Sequence, residues 1–261
     1  MALDNIIQRI QVLQQTSTSP KNDTEYMSEY KCPICRDEEY IEILGEDGVA
    51  YMRECICRAK KQSMRRIQRS GLENVIESCT FKAYIATEPW QRYAKGQAIK
   101  FAMNPEGWFY IGGQVGSGKT HLCTAIVHTL INKGMEARYM LWRDESITLK
   151  SLITRDEEYK ERIEPFKQVK VLYIDDFLRT PKIQGRPQQP SSADINIMLE
   201  IINYRYLHKD LITVISSERT LDEIIEFDEA LGSRIMQKAQ DYCVAIDSIK
   251  DRNYRTRGMD A

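Results

Sequence analysis

From Gly113 the chain reads Gly-Gln-Val-Gly-Ser-Gly-Lys-Thr, the spacing G-x-x-x-x-G-K-T, with an apolar strand leading into it and a helix-compatible stretch, His121–Asn132, behind it. Each residue type has a mechanical use in holding a triphosphate. Gly113, Gly116 and Gly118 let the backbone curl until successive N–H groups converge on phosphate oxygens. The intervening Gln114, Val115 and Ser117 contribute to the same cradle. A helix starting near Lys119 adds its positive dipole end there. Lys119 is the cation that reaches the β- and γ-phosphates, and Thr120 offers a hydroxyl to Mg²⁺. A glycine-rich turn arising by chance is the bland alternative, and the flanking strand and helix argue against it.

A second constellation is Val169–Asp176, an apolar run ending in two carboxylates. In a parallel sheet such a strand ends at the ligand edge. Asp175 is then placed to hold Mg²⁺ opposite Thr120, and Asp176 to orient and deprotonate an attacking water. A plain turn signal after a buried strand is the competing reading. Asp is one methylene shorter than Glu, so hydrolysis is expected to be slow.

Four cysteines form a third group, Cys32-Pro-Ile-Cys35 and Cys55-Ile-Cys57. Four thiolates at this spacing can surround one tetrahedral, closed, structural Zn²⁺. The stretch 39–53 is expected to pair as a hairpin turning at Glu46-Asp47-Gly48. Too few apolar residues lie here to fold the unit alone, and bound zinc would supply what they do not. Redox or purely structural thiols are the alternative. Cys79, Cys123 and Cys243 read as ordinary buried residues. The histidines are scattered and receive no chemistry.

The elements that position these groups follow from periodicity. The chain has 261 residues, 42% hydrophobic and 29% charged, with a net charge of −1. This suits a full α/β domain plus a smaller module and predicts no overall attraction to nucleic acid. No apolar stretch approaches the roughly 20 residues that span a bilayer. The N-terminus lacks an export signal, so the expected location is the cytoplasm, where paired cysteines favour metal over disulfides. Strands are expected at Gly107–Gly112, Glu136–Leu141, Val169–Asp175, Leu211–Ser216 and Tyr242–Ile246, alternating with helices to give a parallel five-stranded sheet. A short amphipathic helix is expected at 4–15 and a polar linker at 16–25. Residues 58–72 carry Arg58, Lys60, Lys61, Arg65, Arg66 and Arg69 without an acid, as a solvated linker helix or a phosphate-backbone contact. The expected domains are 1–57, 58–72 and 73–261.

On Gly113–Thr120, Leu172–Phe177, Ile215–Glu218, Leu231–Ile235 and Asn253–Arg255, the chain resembles the AAA+ helicase loaders of bacteria and their phages, the DnaC/DnaI-like group, and is similar to the sister ATPases that assist transposition. The resemblance implies an AAA+ P-loop NTPase core that uses ATP, preceded by the small zinc-binding module. It implies that Arg234 acts as an arginine finger on a neighbouring subunit's γ-phosphate and that Arg255 is the second sensor arginine. Relatives often have Thr-Ser-Asn where this chain has Ser216-Ser217-Glu218, so Ser217 or Glu218 substitutes for the sensor amide. Residues 249–261 alone follow Ser248, which reads as a truncated lid.

The resemblance further implies a replicative hexameric DNA helicase as partner, bound by residues 1–57, delivery onto single-stranded DNA, and self-association through the ATPase domain, with no membrane. The family places DNA-lining helices in 142–164. Here that stretch offers Lys150, Arg155, Tyr159, Lys160 and Arg162 among seven acids, and Trp142 and Tyr159 read as packing residues. Other readings are a transposition-helper ATPase, a zinc-containing nucleoside or nucleotide kinase, and a non-hydrolysing adaptor that uses ATP as an assembly switch.

Overall fold

The computed structural model describes residues 30–45, 48–67, 76–183, 186–249 and 252–254. The helix expected at 4–15, the linker at 16–25, Arg69 and Arg255 lie outside the described residues. Two compact units are present, one ending at Glu38 and one running from Glu39. In the first, the Asp37 carboxylate accepts the backbone N–H groups of Lys31 (3.0 Å) and Cys32 (2.8 Å). Arg36 and Asp37 take left-handed φ values of 51° and 69°, which closes a tight knuckle.

The second unit opens with an antiparallel hairpin, β1 (Tyr40–Leu44) and β2 (Ala50–Glu54), paired from Tyr40↔Glu54 to Leu44↔Ala50. It covers the stretch where a hairpin was expected. Helix α1 (Ile56–Ile67) follows. Its cations are largely paired: Arg58 with Glu54, Lys61 with Glu39, and Arg66 with Glu136, leaving Lys60 and Arg65 exposed.

Then come α2 (Pro89–Met103), β3 (Trp108–Gly113), α3 (Lys119–Asn132), β4 (Ala137–Leu141), α4 (Trp142–Leu152), α5 (Asp156–Gln168) and β5 (Val171–Asp175). A miniature hairpin, β6 (Lys182–Ile183) and β7 (Arg186–Pro187), occupies the proline-rich stretch. The chain continues as α6 (Ser192–Leu207), β8 (Ile212–Ser216), α7 (Leu221–Phe227), α8 (Glu229–Ala239) and β9 (Cys243–Ile246).

All five expected strands form, with ends shifted by one or two residues. They lie parallel in the order β4-β5-β8-β3-β9. The three central strands are buried at every position. That is why they read as continuous apolar runs, since helices cover both faces of such a sheet. Alternation divides the core in two. Phe109, Ile111, Tyr173 and Val214 join α1, α2 and α3 on one face. Trp108, Tyr110, Leu172 and Ile215 join α4 to α8 on the other. Each large side chain so buried contributes about 1.5–3 kcal/mol.

Local signals set the helix starts. Ser191 and Asp194 form a capping box at α6, Thr220 and Glu223 another at α7, and Asp228 caps α8. Trp142 is buried and Tyr159 packs against the same core, so both are packing residues as expected. Helix α1 closes the outer edge of β4, where the Ser63 hydroxyl accepts the Ala137 N–H at 3.1 Å and Ile67 is buried. One buried cation is a staple. Arg205 donates to the carbonyls of Phe166, Lys167, Val169 and Ile212 and to the Thr213 hydroxyl, at 2.6–3.1 Å. It thereby satisfies the end of α5 and ties it to β8.

Candidate functional site

The loop leaving β3 curls as its glycines require. Gly113 sits at φ +109°, and a Cβ there would lie 2.0 Å from the Ile246 carbonyl oxygen of β9. Gly118 sits at φ +88°, where a Cβ would lie 2.9 Å from the Tyr84 ring. Gly118 is also the N-cap of α3 and supplies no side-chain acceptor, unlike the caps of α6, α7 and α8. The first N–H groups of α3 thus point into the loop, the arrangement that suits a phosphate.

Lys119 is largely buried, and its ammonium donates to the carbonyls of Gly113 (2.8 Å) and Gln114 (2.6 Å). Burial pushes its pKa down to about 8, against the opposing pull of Glu218, Asp176 and Asp175. A cavity of about 470 Å³ opens over this loop, lined by Gly116–His121 together with Cys79, Asp175, Asp176, Arg179, Glu218 and Tyr254. Cys123 is buried as expected, but Cys79 and Cys243 are only half-buried.

The structure brings Thr120 and Asp175 together, the hydroxyl donating to Oδ1 at 3.2 Å. Strand β8 lies between β5 and β3, and its last residue, Ser216, also donates to Asp175 Oδ1. Tyr139 of β4 donates to Oδ2 at 3.0 Å. Burial, and then the Asp175 carboxylate, hold the Tyr139 hydroxyl protonated far above the ordinary phenol range. Neither Tyr139 nor Ser216 is singled out by sequence, because their role depends on strand order.

Asp176 lines the same cavity, with its backbone in the left-handed region at φ 54°. Its carboxylate accepts from Arg179 at 2.6 Å, and Arg179 also pairs with Glu218 at 3.2 Å. Arg179 is another residue that sequence reasoning missed. Ser217, expected with Glu218 as the stand-in for the sensor amide, is buried. Its hydroxyl donates to the Phe177 carbonyl (2.9 Å) and accepts the Arg219 N–H (3.1 Å), which holds the loop. Arg234 stands apart on α8, donating to the Ala230 carbonyl with its guanidinium over the Tyr206 ring. Near the C-terminus, the Tyr254 N–H donates to the Gly116 carbonyl at 3.0 Å, bringing residues 252–254 back to the loop.

The sulfurs of Cys32, Cys35, Cys55 and Cys57 all lie within 4.8 Å of one another, and three of these residues are buried. Zinc–sulfur bonds of about 2.3 Å in a tetrahedron set sulfurs about 3.8 Å apart, so the donor set fits a closed zinc site. In the 142–164 stretch, Lys150 pairs with Asp194, Arg155 with Glu158 and Arg162 with Glu145. No helix among the described residues is long and apolar enough to cross a membrane.

Comparison with known proteins agrees with this geometry. Uncharacterized protein YqaM of Bacillus subtilis (strain 168) is 33% identical over 213 residues, 75% of this chain and 64% of YqaM. Phage-like element PBSX protein XkdC of the same organism is 29% identical over 250 residues, 89% of this chain and 88% of XkdC. The chain therefore spans just under two thirds of one curated relative and most of the other.

Among solved structures, DnaI shares the fold with a TM-score of 0.53 and 19% identity, over 74% of this chain and 99% of DnaI. The DnaC helicase loader gives 0.52 and 20%, over 67% and 98%. Domain III of the Thermotoga maritima replication initiation protein DnaA gives 0.51 and 23%, over 66% and 67%. The family described as IstB-like ATP binding protein matches residues 43–260, and the chain belongs to it.

Proposed function

We propose that the chain is an ATP-dependent loader that binds a hexameric replicative DNA helicase and delivers it onto single-stranded DNA. The observation that carries the ATPase part is the Thr120–Asp175 contact beneath the phosphate loop. Thr120 and Asp175 would hold Mg²⁺, which neutralises charge on the phosphoryl oxygens. Lys119 binds the β- and γ-phosphates. Asp176 orients a water whose oxygen attacks the γ-phosphorus and takes its proton as the bond to the β–γ bridging oxygen breaks. The single methylene of Asp176 makes this step slow.

Self-association through the ATPase domain brings Arg234 to the γ-phosphate of a neighbour, and Arg255 acts as the second sensor, with Ser217 fixing the sensor loop. Residues 1–57 bind the helicase around the zinc-held cysteines, 58–72 link, and 73–261 hydrolyse. The likeness of fold to a protein described as a helicase loader, and the relative encoded by a phage-like element, support this reading. A cytoplasmic setting, where thiols stay reduced, suits the zinc site.

The test is copurification with the hexameric helicase of the same source, together with ATPase activity measured with and without single-stranded DNA. Helicase binding and DNA-stimulated hydrolysis are expected. A chain that binds no helicase under any nucleotide condition overturns the proposal. Membership of the IstB-like family, together with the similarity to ATPases that assist transposition, supports one second reading, a transposition-helper ATPase. Capture of a transposase on DNA in place of a helicase would select it.

A further inference from the structure

The turn that follows β5 is strained. Asp176 and Leu178 both take left-handed φ, 54° and 52°, and Leu178 is fully buried. A bulky side chain is costly in that region and persists there only where surrounding contacts over-determine it. Two backbone hydrogen bonds supply such contacts. Phe177 N–H donates to the Ser216 carbonyl (2.8 Å), and Arg179 N–H donates to the Asp176 carbonyl (2.9 Å). The result turns the Arg179 side chain back over the acid three residues before it.

Arg179 then divides its planar fork. Nη1 donates to Asp176 Oδ2 at 2.6 Å, and Nε pairs with Glu218 Oε1 at 3.2 Å. Among the described residues, Nη2 makes no hydrogen bond, and Arg179 lines the cavity over the phosphate loop beside Lys119. Two cations, Lys119 and Arg179, thus face three carboxylates, Asp175, Asp176 and Glu218. A guanidinium can serve two carboxylates and a phosphate at once because its donors point in fixed, separate directions.

Resting on the reading of this loop as an ATP site, we propose that Arg179 is a second phosphate-binding cation of the chain's own site. Its Nη2 donates to the terminal phosphate while Nη1 and Nε hold Asp176 and Glu218 in place. The strained turn is what delivers the fork to that position. A triphosphate gains this contact and a diphosphate does not.

The experiment measures Mg·ATP and Mg·ADP affinity by titration calorimetry for the full chain, Arg179→Ala and Arg179→Lys. Arg179→Ala is expected to lower the preference for ATP over ADP on the order of tenfold, with ADP affinity unchanged. Arg179→Lys, which keeps the charge without the fork, recovers part of it. An unchanged ATP/ADP ratio overturns the inference, and so does an equal fall in both affinities, which would mark a residue that only supports the turn. Far-ultraviolet circular dichroism of each variant identifies misfolding. Should Arg179→Ala misfold, the ratio for folded Arg179→Lys decides, and a value equal to wild type overturns the inference. If the unaltered chain binds neither nucleotide, the ATP-site reading itself has failed.

Discussion

The hydroxyl of Thr120 donates to Asp175 Oδ1 at 3.2 Å, joining the first turn of α3 to the last residue of β5 across 55 residues of sequence. The same carboxylate accepts from Ser216, Tyr139 and the Asp176 N–H. Four donors from four places therefore fix its orientation. A carboxylate held this way is preorganised as a ligand, because its position does not have to be found anew at each encounter.

Tyr139→Phe removes one of those donors without changing the buried shape. Losing a hydrogen bond to a charged group costs about 1.5–3 kcal/mol. Hydrolysis is expected to need more Mg²⁺ to reach half-maximal rate, with ATP affinity in EDTA unaltered. A Mg²⁺ titration identical to that of the unaltered chain would separate Tyr139 from the site.

Lys119 makes the site pH-dependent in a direction the structure fixes. Burial lowers its pKa to about 8 from the ordinary 10.5. Between those values the folded chain binds fewer protons than the unfolded one, so stability rises with pH through that window. Triphosphate binding needs the ammonium, so ATP affinity is expected to fall above pH 8, by up to about tenfold per pH unit. Lys119→Met should bind ATP very weakly and lose the added stability between pH 8 and 10.5. Thermal melts across that range check the sign.

Asp176→Asn keeps the size of the side chain and removes its basicity. Hydrolysis should fall about 10²–10⁴-fold, the range typical of a lost general base. ATP affinity should stay within about twofold, since the charge on the phosphates is met by other groups. A steady-state rate close to wild type would assign the base elsewhere.

Arg205 is bonded to neutral oxygens alone, so its replacement leaves buried carbonyls of α5 and β8 unpaired. Arg205→Leu is expected to cost about 1–3 kcal/mol for each buried carbonyl left without a donor. Chemical denaturation should show the loss as a lower midpoint at unchanged slope.

Cys32→Ser removes one of four sulfurs that lie within 4.8 Å of one another. The unaltered chain should carry one zinc per polypeptide, and the variant much less. Nucleotide affinity should be preserved while helicase binding is lost. Elemental analysis beside a pull-down reads both.

The phosphate loop and Asp175 were legible because their chemistry demands fixed residue types at fixed spacing. The five strands were legible because a sheet covered on both faces needs unbroken apolar runs such as Val171–Ile174. Tyr139 and Ser216 were not, since they meet Asp175 only through the order β4-β5-β8, which no local pattern encodes. Arg179 was hidden for a different reason: its aim depends on a left-handed Leu178, a conformation leucine does not advertise. Ser216 and Ser217 are identical as letters, yet successive positions of an extended chain send one hydroxyl to Asp175 and the other to the Phe177 carbonyl.

The Ser63–Ala137 bond and buried Ile67 have a practical side. A chain shortened to begin at residue 73 would strip α1 from β4 and expose the rim of the sheet, with Ala137 N–H deprived of its acceptor. Bare rims recruit other strands. Such a fragment should stick to itself, and oligomers seen with it would report an artefact of truncation and not the partnership of subunits in the whole chain.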